Sequence, residues 1–455
     1  MANLHRSGFV EVRQKIAEAI SRAFRKLVVT DARAVEEALA LFATDRNIHP
    51  GSLQVITEVY NRGEDHREAF FTILSSLDHS KVDFILNQIY AAMDTPEWLI
   101  TLRADLDASI KKLSAAKPPP ASLPPLRALA DFFSDHFMRI FNFQYLVTRL
   151  CNAQNTSIAL LKFISEKEGV HPAENWWNFE NRLNSPDRII ITLEHFKMPY
   201  TPLVYIEVAL AKGLIRKISR IIGDKRRPPD LSRADTAIFY SVNTTLSGLD
   251  GIALGAKMIT RARDYLEQHY PRVHHFATLS PVPRFRDYLD RVLGGGEQPF
   301  LLTAPKVDAN KHERFVSPDE VRAIAGELSA GGEKDARALP VSALLGKALG
   351  VKDWHENPAL RGALERPLTA LARYYLTREK RPGRGKGQRL ANAYDPVANF
   401  HLSNGASIGS INYLANVSER GMYESYGMMV NYLYEREHQE QNKLLYSAGT
   451  VAVSE

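Results

Sequence analysis

Between Ala237 and Leu279 two short runs rich in β-branched and aromatic residues, AIFYSVN and FATL, bracket a single amphipathic helix pattern from Leu254 to His269. Strands joined by one crossover helix lie parallel and adjacent in the same sheet, so this stretch predicts a βαβ unit. The second run stops abruptly at Ser280, because Pro281 and Pro283 bar both further strand pairing and immediate helix growth. A hydroxyl is thereby held at the carboxyl end of a strand. Chemistry gathers at such ends in α/β folds, where serine also serves simply as a turn residue.

The rest of the chain divides around this unit. Val10, Ile16, Ile20, Phe24 and Leu27 share one face of a 3.6-residue period, and Val35 to Phe42, Ser52 to Tyr60, Arg67 to Leu77 and Val82 to Met93 repeat it. Thr30 and Asp78 are the cap candidates. The stiff segment AAKPPPASLPP, Ala115 to Pro125, reads as a loop inside one helical domain, since helical patterns resume at Leu126 to Leu150 and Thr156 to Lys167 with no strand between. After Gly169 the character changes. RIIITLEH (188 to 195) and PLVYIEVAL (202 to 210) predict an antiparallel hairpin ahead of the βαβ unit. Helical patterns return at Pro318 to Leu328, Val341 to Leu349 and Asn357 to Leu376, and Ala398 to Leu402 reads as a last strand before a mixed, aromatic tail from Ile411 to Tyr446. The expected organisation is α+β and multidomain: an all-helical domain over 1–168, then a mixed-sheet α/β domain over 169–455.

Composition narrows the chemistry. With Cys151 as the single cysteine of 455 residues, an intramolecular disulfide and a cysteine-based zinc site are both excluded. No apolar run approaches a membrane span and the amino end lacks the apolar core of a secretory signal, so a cytoplasmic protein is expected. The net charge of +6 suits an anionic partner. The densest basic run, REKRPGRGKGQR (378 to 389), has no interleaved aromatic residue, which leaves nucleic-acid stacking without support and favours a solvated loop.

Three segments could carry chemistry. The turn SGLDGIALGAK, Ser247 to Lys257, places glycines and backbone amides at a helix amino terminus, a setting that suits a pyrophosphate but also serves tight packing. Neither the dinucleotide nor the Walker spacing is present there. GASIG, Gly405 to Gly409, fits a nucleophile-elbow pattern around Ser407, but only His438 follows it, in a polar helical stretch, so it is set aside. His274 and His275 are adjacent and would point to opposite faces of a strand, which gives no metal cluster. In DPVANFHLSNGA, Asp395 to Ala406, His401 sits between Phe400 and Leu402, as either a structural or a catalytic imidazole.

Taken together, ENWWNFENRL (174 to 183), PLVYIEVAL, SGLDGIALG, ATLSPVPRF (277 to 285), DPVANFHLSNGA and the tail around NYLAN and VNYLYE resemble the malonyl-CoA decarboxylases, in order and across nearly the whole carboxyl-terminal domain. The resemblance implies a helical domain that contributes to oligomer formation, a homotetramer built as a dimer of dimers, and a catalytic domain similar to the GNAT acetyltransferases. It implies malonyl-CoA as substrate, acetyl-CoA and carbon dioxide as products, no cofactor and no metal, and no nucleic-acid or membrane partner. By the same resemblance Asp250, Gly251, Ile252, Ala253, Leu254, Gly255 and Ala256 form an acyl-CoA-binding loop. Ser280 and His401 match the family's catalytic serine and histidine, in contact with the acyl-CoA, and Tyr434 matches a tyrosine near them. Three positions depart from the family pattern: Arg284 stands where a glycine is common, Asp395 where asparagine is, and Ala253 where some members carry glutamate. A GNAT-type acyl-CoA N-acyltransferase and a non-enzymatic acyl-CoA-binding regulator are the competing functions.

Overall fold

A computed structural model describes residues 37, 39, 50–223, 229–294, 315–333, 335–382 and 389–454. The expected helix over Val10 to Leu27, the cap at Thr30 and the centre of the basic run lie outside these residues. By internal contacts the chain groups into two units, one of Met1–Arg149, Thr192–Tyr205 and Asn243–Met258, the other of Leu150–Ile191, Ile206–Val242 and Ile259–Glu455.

Helices dominate the first unit: α1 (Pro50–Tyr60), α2 (Glu64–Ser76), α3 (His79–Ala92), α4 (Glu97–Ser114) and α5 (Leu123–Ile140). Asp78 caps α3 as its sequence predicts, its carboxylate accepting from the Lys81 N–H at 3.0 Å. Tyr60, Phe70 and Phe71 meet edge to face, with centroids 5.3 to 6.0 Å apart, and Phe133, Phe137 and Phe141 form a second row of buried rings. The proline segment is a loop between α4 and α5, inside the unit. The expected helix over 126–150 is corrected. α5 ends at Ile140, and Leu146–Cys151 form a strand, β1, in which β-branched Val147 and Thr148 favour extended backbone and which pairs with the next strand of the sheet.

Most strands of the chain gather in one mixed sheet. Its strands are β1, β2 (Arg188–His195), β3 (Pro202–Ala211), β4 (Thr236–Thr244), β5 (His275–Thr278), β6 (Ser280–Pro281), β9 (Ser407–Asn412) and β10 (Met429–Leu433), while β7 (Lys380–Pro382) and β8 (Arg389–Ala393) pair only with each other. The order is β1-β2-β3-β4-β5-β10-β6, with β9 also paired to β10. The expected hairpin is the adjacent pair β2 and β3. The expected βαβ unit is β4, helix α9 (Leu254–His269) and β5, with β4 and β5 parallel from Thr236 opposite His275 to Phe239 opposite Thr278. The remaining helices among the described residues are α6 (Ile158–Lys167), α7 (Trp176–Asn184), α8 (Ser219–Ile222), α10 (Phe285–Leu293), α11 (Pro318–Ala330), α12 (Val341–Gly350), α13 (Pro358–Arg378), α14 (Pro396–Ser403), α15 (Glu419–Ser425) and α16 (Gln439–Ser447). Ala398 to Leu402, expected as a strand, lies in α14: Asp395 caps it by accepting from the Ala398 N–H, and Pro396 occupies its first turn.

Candidate functional site

Strand β5 and its continuation set the site's geometry. Alternation along the strand turns Ala277 and Leu279 into an apolar cluster with Ile238, Tyr240, Ile218, Ala415 and Met429, so Thr278 and Ser280 project from the opposite face. Pairing does not end at the prolines as the sequence reading expects. β6 pairs antiparallel with β10, Ser280 opposite Val430 and Pro281 opposite Met429. It stands last in the strand order, an edge on which proline's missing N–H costs no ladder bond.

Buried Asn431 braces the gap between β5 and β6. Its amide donates to the carbonyls of Thr278 at 2.6 Å and Ile215 at 3.1 Å, and its oxygen accepts from Ser410 at 2.6 Å and Asn412 at 2.8 Å. The Thr278 hydroxyl oxygen in turn accepts the Tyr432 N–H at 3.1 Å. These bonds fix the strand just ahead of Ser280.

His401 arrives on the last turn of α14 and is locked there from outside the helix. Its carbonyl accepts from the N–H groups of Asn404 and Ala406, closing the turn SNGA. Gly405 is indispensable in that turn: its φ is +85°, and a Cβ would lie 2.3 Å from the Gln439 carbonyl oxygen at the start of α16. Asn442 of α16 donates to the Gly405 carbonyl at 3.1 Å. The imidazole lies on the Tyr432 ring, centroids 4.5 Å apart and planes 25° from parallel, which sets its tilt.

These supports bring Ser280, His401 and Tyr434 together, although 121 residues separate the first two. Ser280 Oγ is 3.1 Å from His401 Nε2, and His401 Nδ1 is 2.8 Å from the Tyr434 hydroxyl. All three are buried. Burial lowers the His401 pKa to about 3, so the imidazole is neutral, and burial raises that of Tyr434, which keeps its proton. Thr278, at 2.9 Å from Ser280, and Tyr432 complete the cluster and were not anticipated. Thr278 lies in the quoted ATLSPVPRF and Tyr432 in VNYLYE, but a lone threonine or tyrosine in an apolar strand gives no signal.

The turn from Ser247 to Lys257 belongs to the first unit. Ser247–Leu249 form one 3-10 turn, and α9 begins at Leu254. Gly248 is fixed by close packing, since a Cβ would fall 1.9 Å from the Ile100 carbonyl oxygen. Ile252 and Leu254 are buried anchors, whereas Gly251 and Ala253 are exposed and have φ of +80° and +53°. The loop's backbone thus faces outward at the amino end of α9. Lys257 does not reach back over it, because its ammonium donates to the Phe141 carbonyl at 2.7 Å.

The other candidates separate from the cluster. Ser407 lies on β9, not on a strand-to-helix turn, and its hydroxyl bonds Ser454 at 2.7 Å. Cys151 is buried at the end of β1, where a helix end was expected. Among the described residues no group of three or more His, Cys, Asp or Glu could hold a metal ion, and no helix is long and apolar enough to cross a membrane.

The departures at 284 and 395 acquire physical meanings. Arg284 has φ +66° ahead of α10, a conformation glycine adopts without strain. Asp395 is fully buried, and burial pushes its carboxyl up to about 7 against the bonds from Ala398 and from Tyr375. Since that value exceeds the ordinary 3.8, the stability that comes from its retained proton is present in acid and is lost as pH rises through 7. An asparagine keeps the cap without the charge. Asp395→Asn should therefore raise Tm above wild type at about pH 8, with the gain gone at about pH 4, in thermal scans across that range.

Comparison with known proteins gives a consistent set of relatives. The family model of the malonyl-CoA decarboxylase C-terminal domain matches residues 145–455. Mitochondrial malonyl-CoA decarboxylase of Mus musculus is 32% identical over 357 residues, 77% of this chain and 64% of the mouse protein. The goose (Anser anser anser) enzyme of the same name is 32% identical over 289 residues, 63% of this chain and 52% of its own length. The chain thus spans less than two thirds of these relatives. Among solved structures, malonyl-CoA decarboxylase from Rhodopseudomonas palustris has a TM-score of 0.69 at 24% identity, covering 94% of this chain and 98% of that one. The one from Agrobacterium vitis has a TM-score of 0.64 at 25% identity, covering 93% and 85%.

Proposed function

The chain belongs to the malonyl-CoA decarboxylase family, and from that premise we propose that it converts malonyl-CoA to acetyl-CoA and carbon dioxide. The observation that supports this reading most is the buried relay from Ser280 through a neutral His401 to Tyr434. Cleavage of the bond between C2 and the carboxylate sends its electron pair into the thioester carbonyl, giving an enolate. The substrate is thus its own electron sink, and the reaction needs neither metal nor organic cofactor. The protein must stabilise the enolate oxygen and return one proton to C2.

Ser280 serves the first need as a hydroxyl donor to the malonyl thioester, and His401 the second as proton donor to C2. A neutral imidazole is a competent donor where its surroundings hold it uncharged, and a thioester enolate is basic enough at carbon to take its proton. Tyr434 supports the far side of the ring. In the same reading residues 250–256 receive the pyrophosphate of coenzyme A at the amino end of α9, where unsatisfied N–H groups and the helix dipole favour an anion. A homotetramer arranged as a dimer of dimers, on the resemblance alone, and a cytoplasmic location, on the sequence composition alone, complete it.

The reading is tested by incubating the protein with malonyl-CoA, with and without a panel of primary amines, and resolving products by mass spectrometry. Acetyl-CoA should form at the same rate in both. Acylated amine together with free coenzyme A would establish an N-acyltransferase instead.

A further inference from the structure

We propose that Thr278 is a positioning residue that sets the direction of the hydrogen-bond chain, so that Ser280 and His401 Nε2 each carry a proton before substrate arrives. Ser280 has a single hydroxyl proton, and the structure directs it to Thr278 Oγ1, at 2.9 Å. Thr278 is fixed in turn because its oxygen also accepts the Tyr432 N–H at 3.1 Å, on the strand that pairs with Ser280. With the serine proton committed there, the 3.1 Å contact between Ser280 Oγ and His401 Nε2 is a hydrogen bond only if the ring nitrogen donates. A neutral imidazole then has no proton on Nδ1, and that atom accepts from the Tyr434 hydroxyl at 2.8 Å. The chain runs one way, from Tyr434 to His401 to Ser280 to Thr278.

Direction decides chemistry. With the opposite polarity Ser280 would donate to Nε2, leaving a base facing a hydroxyl, the arrangement that activates a serine nucleophile. With the polarity proposed the pair offers two donors and no base. When substrate enters, Ser280 can turn its proton from Thr278 to the thioester oxygen while Nε2–H faces C2. One proton leaves His401 as C2 is protonated, and solvent restores it after product departs. The proposal rests on the decarboxylase reading for its consequence in turnover, whereas the tautomer itself is measured without substrate.

The test compares wild type with Thr278→Val, which keeps the shape and removes the acceptor, and Thr278→Ser, which restores it. Nitrogen NMR of protein labelled with ¹⁵N-histidine, with His401 assigned by its absence in His401→Asn, should show the proton on Nε2 in wild type and Thr278→Ser. In Thr278→Val it should shift to Nδ1, while kcat for malonyl-CoA falls by about 10²-fold, the lower bound for a positioned acid, with KM unchanged. A wild-type proton on Nδ1, or a Thr278→Val protein with unaltered tautomer, would overturn the proposal. Expected tautomers in a protein inert toward malonyl-CoA would uphold the polarity and remove the decarboxylase reading instead.

Discussion

His401→Asn should lower kcat for malonyl-CoA by about 10² to 10⁴-fold, the range that a positioned general acid contributes. The asparagine amide can still bridge toward Ser280, but it cannot give a proton to carbon. The effect should fall on kcat, since in the proposed reaction the imidazole donates only once charge has built at C2, and acyl-CoA affinity should stay near that of wild type. Because His401 is neutral down to about pH 3, the wild-type kcat should carry no limb from this histidine near its ordinary value of 6.5. Stopped turnover assays by mass detection, run beside circular dichroism to verify folding, check both statements.

Ser280→Ala comes next in size. Removing one preorganised donor to a developing oxyanion costs about 10² to 10³ in kcat. The substitution also leaves Thr278 Oγ1 and His401 Nε2 without their shared partner in a buried site. Ser280→Thr, which keeps the hydroxyl, should retain more activity than Ser280→Ala at equal acyl-CoA affinity. Equal rates for wild type and Ser280→Ala would remove the serine from the reaction.

Much of this site could be read from the residues, and the part that could not has physical reasons. The βαβ unit and the hairpin were evident because their strands are short, β-branched and bounded by turn residues. Position 401 stands out in the sequence as a candidate, but its element does not: VANFHL is as apolar as a strand, and the deciding signal is the preceding Asp395-Pro396, a cap and first-turn pair. β1 was absorbed into a helix pattern because LVTRLC follows eighteen helical residues with only a short turn between. Thr278, Tyr432 and Asn431 had no signal, since each acts through partners fixed by the pairing of β5, β6 and β10. The same holds for Glu207 in PLVYIEVAL. It pairs at 3.6 Å with Arg182 of ENWWNFENRL, and burial raises its carboxyl to about 8. Two motifs that look unrelated along the chain meet in one buried contact.

The central claim is that a two-donor pair at Ser280 and His401 turns malonyl-CoA into acetyl-CoA. The most direct measurement gives wild type, Ser280→Ala and His401→Asn malonyl-CoA as the sole substrate, with carbon dioxide and acetyl-CoA followed together and acyl-CoA binding determined by calorimetry. Equimolar carbon dioxide and acetyl-CoA from wild type, and bound but unconverted substrate in both variants, is the expected result. Malonyl-CoA left intact by wild type, or converted as fast by the two variants, would contradict it.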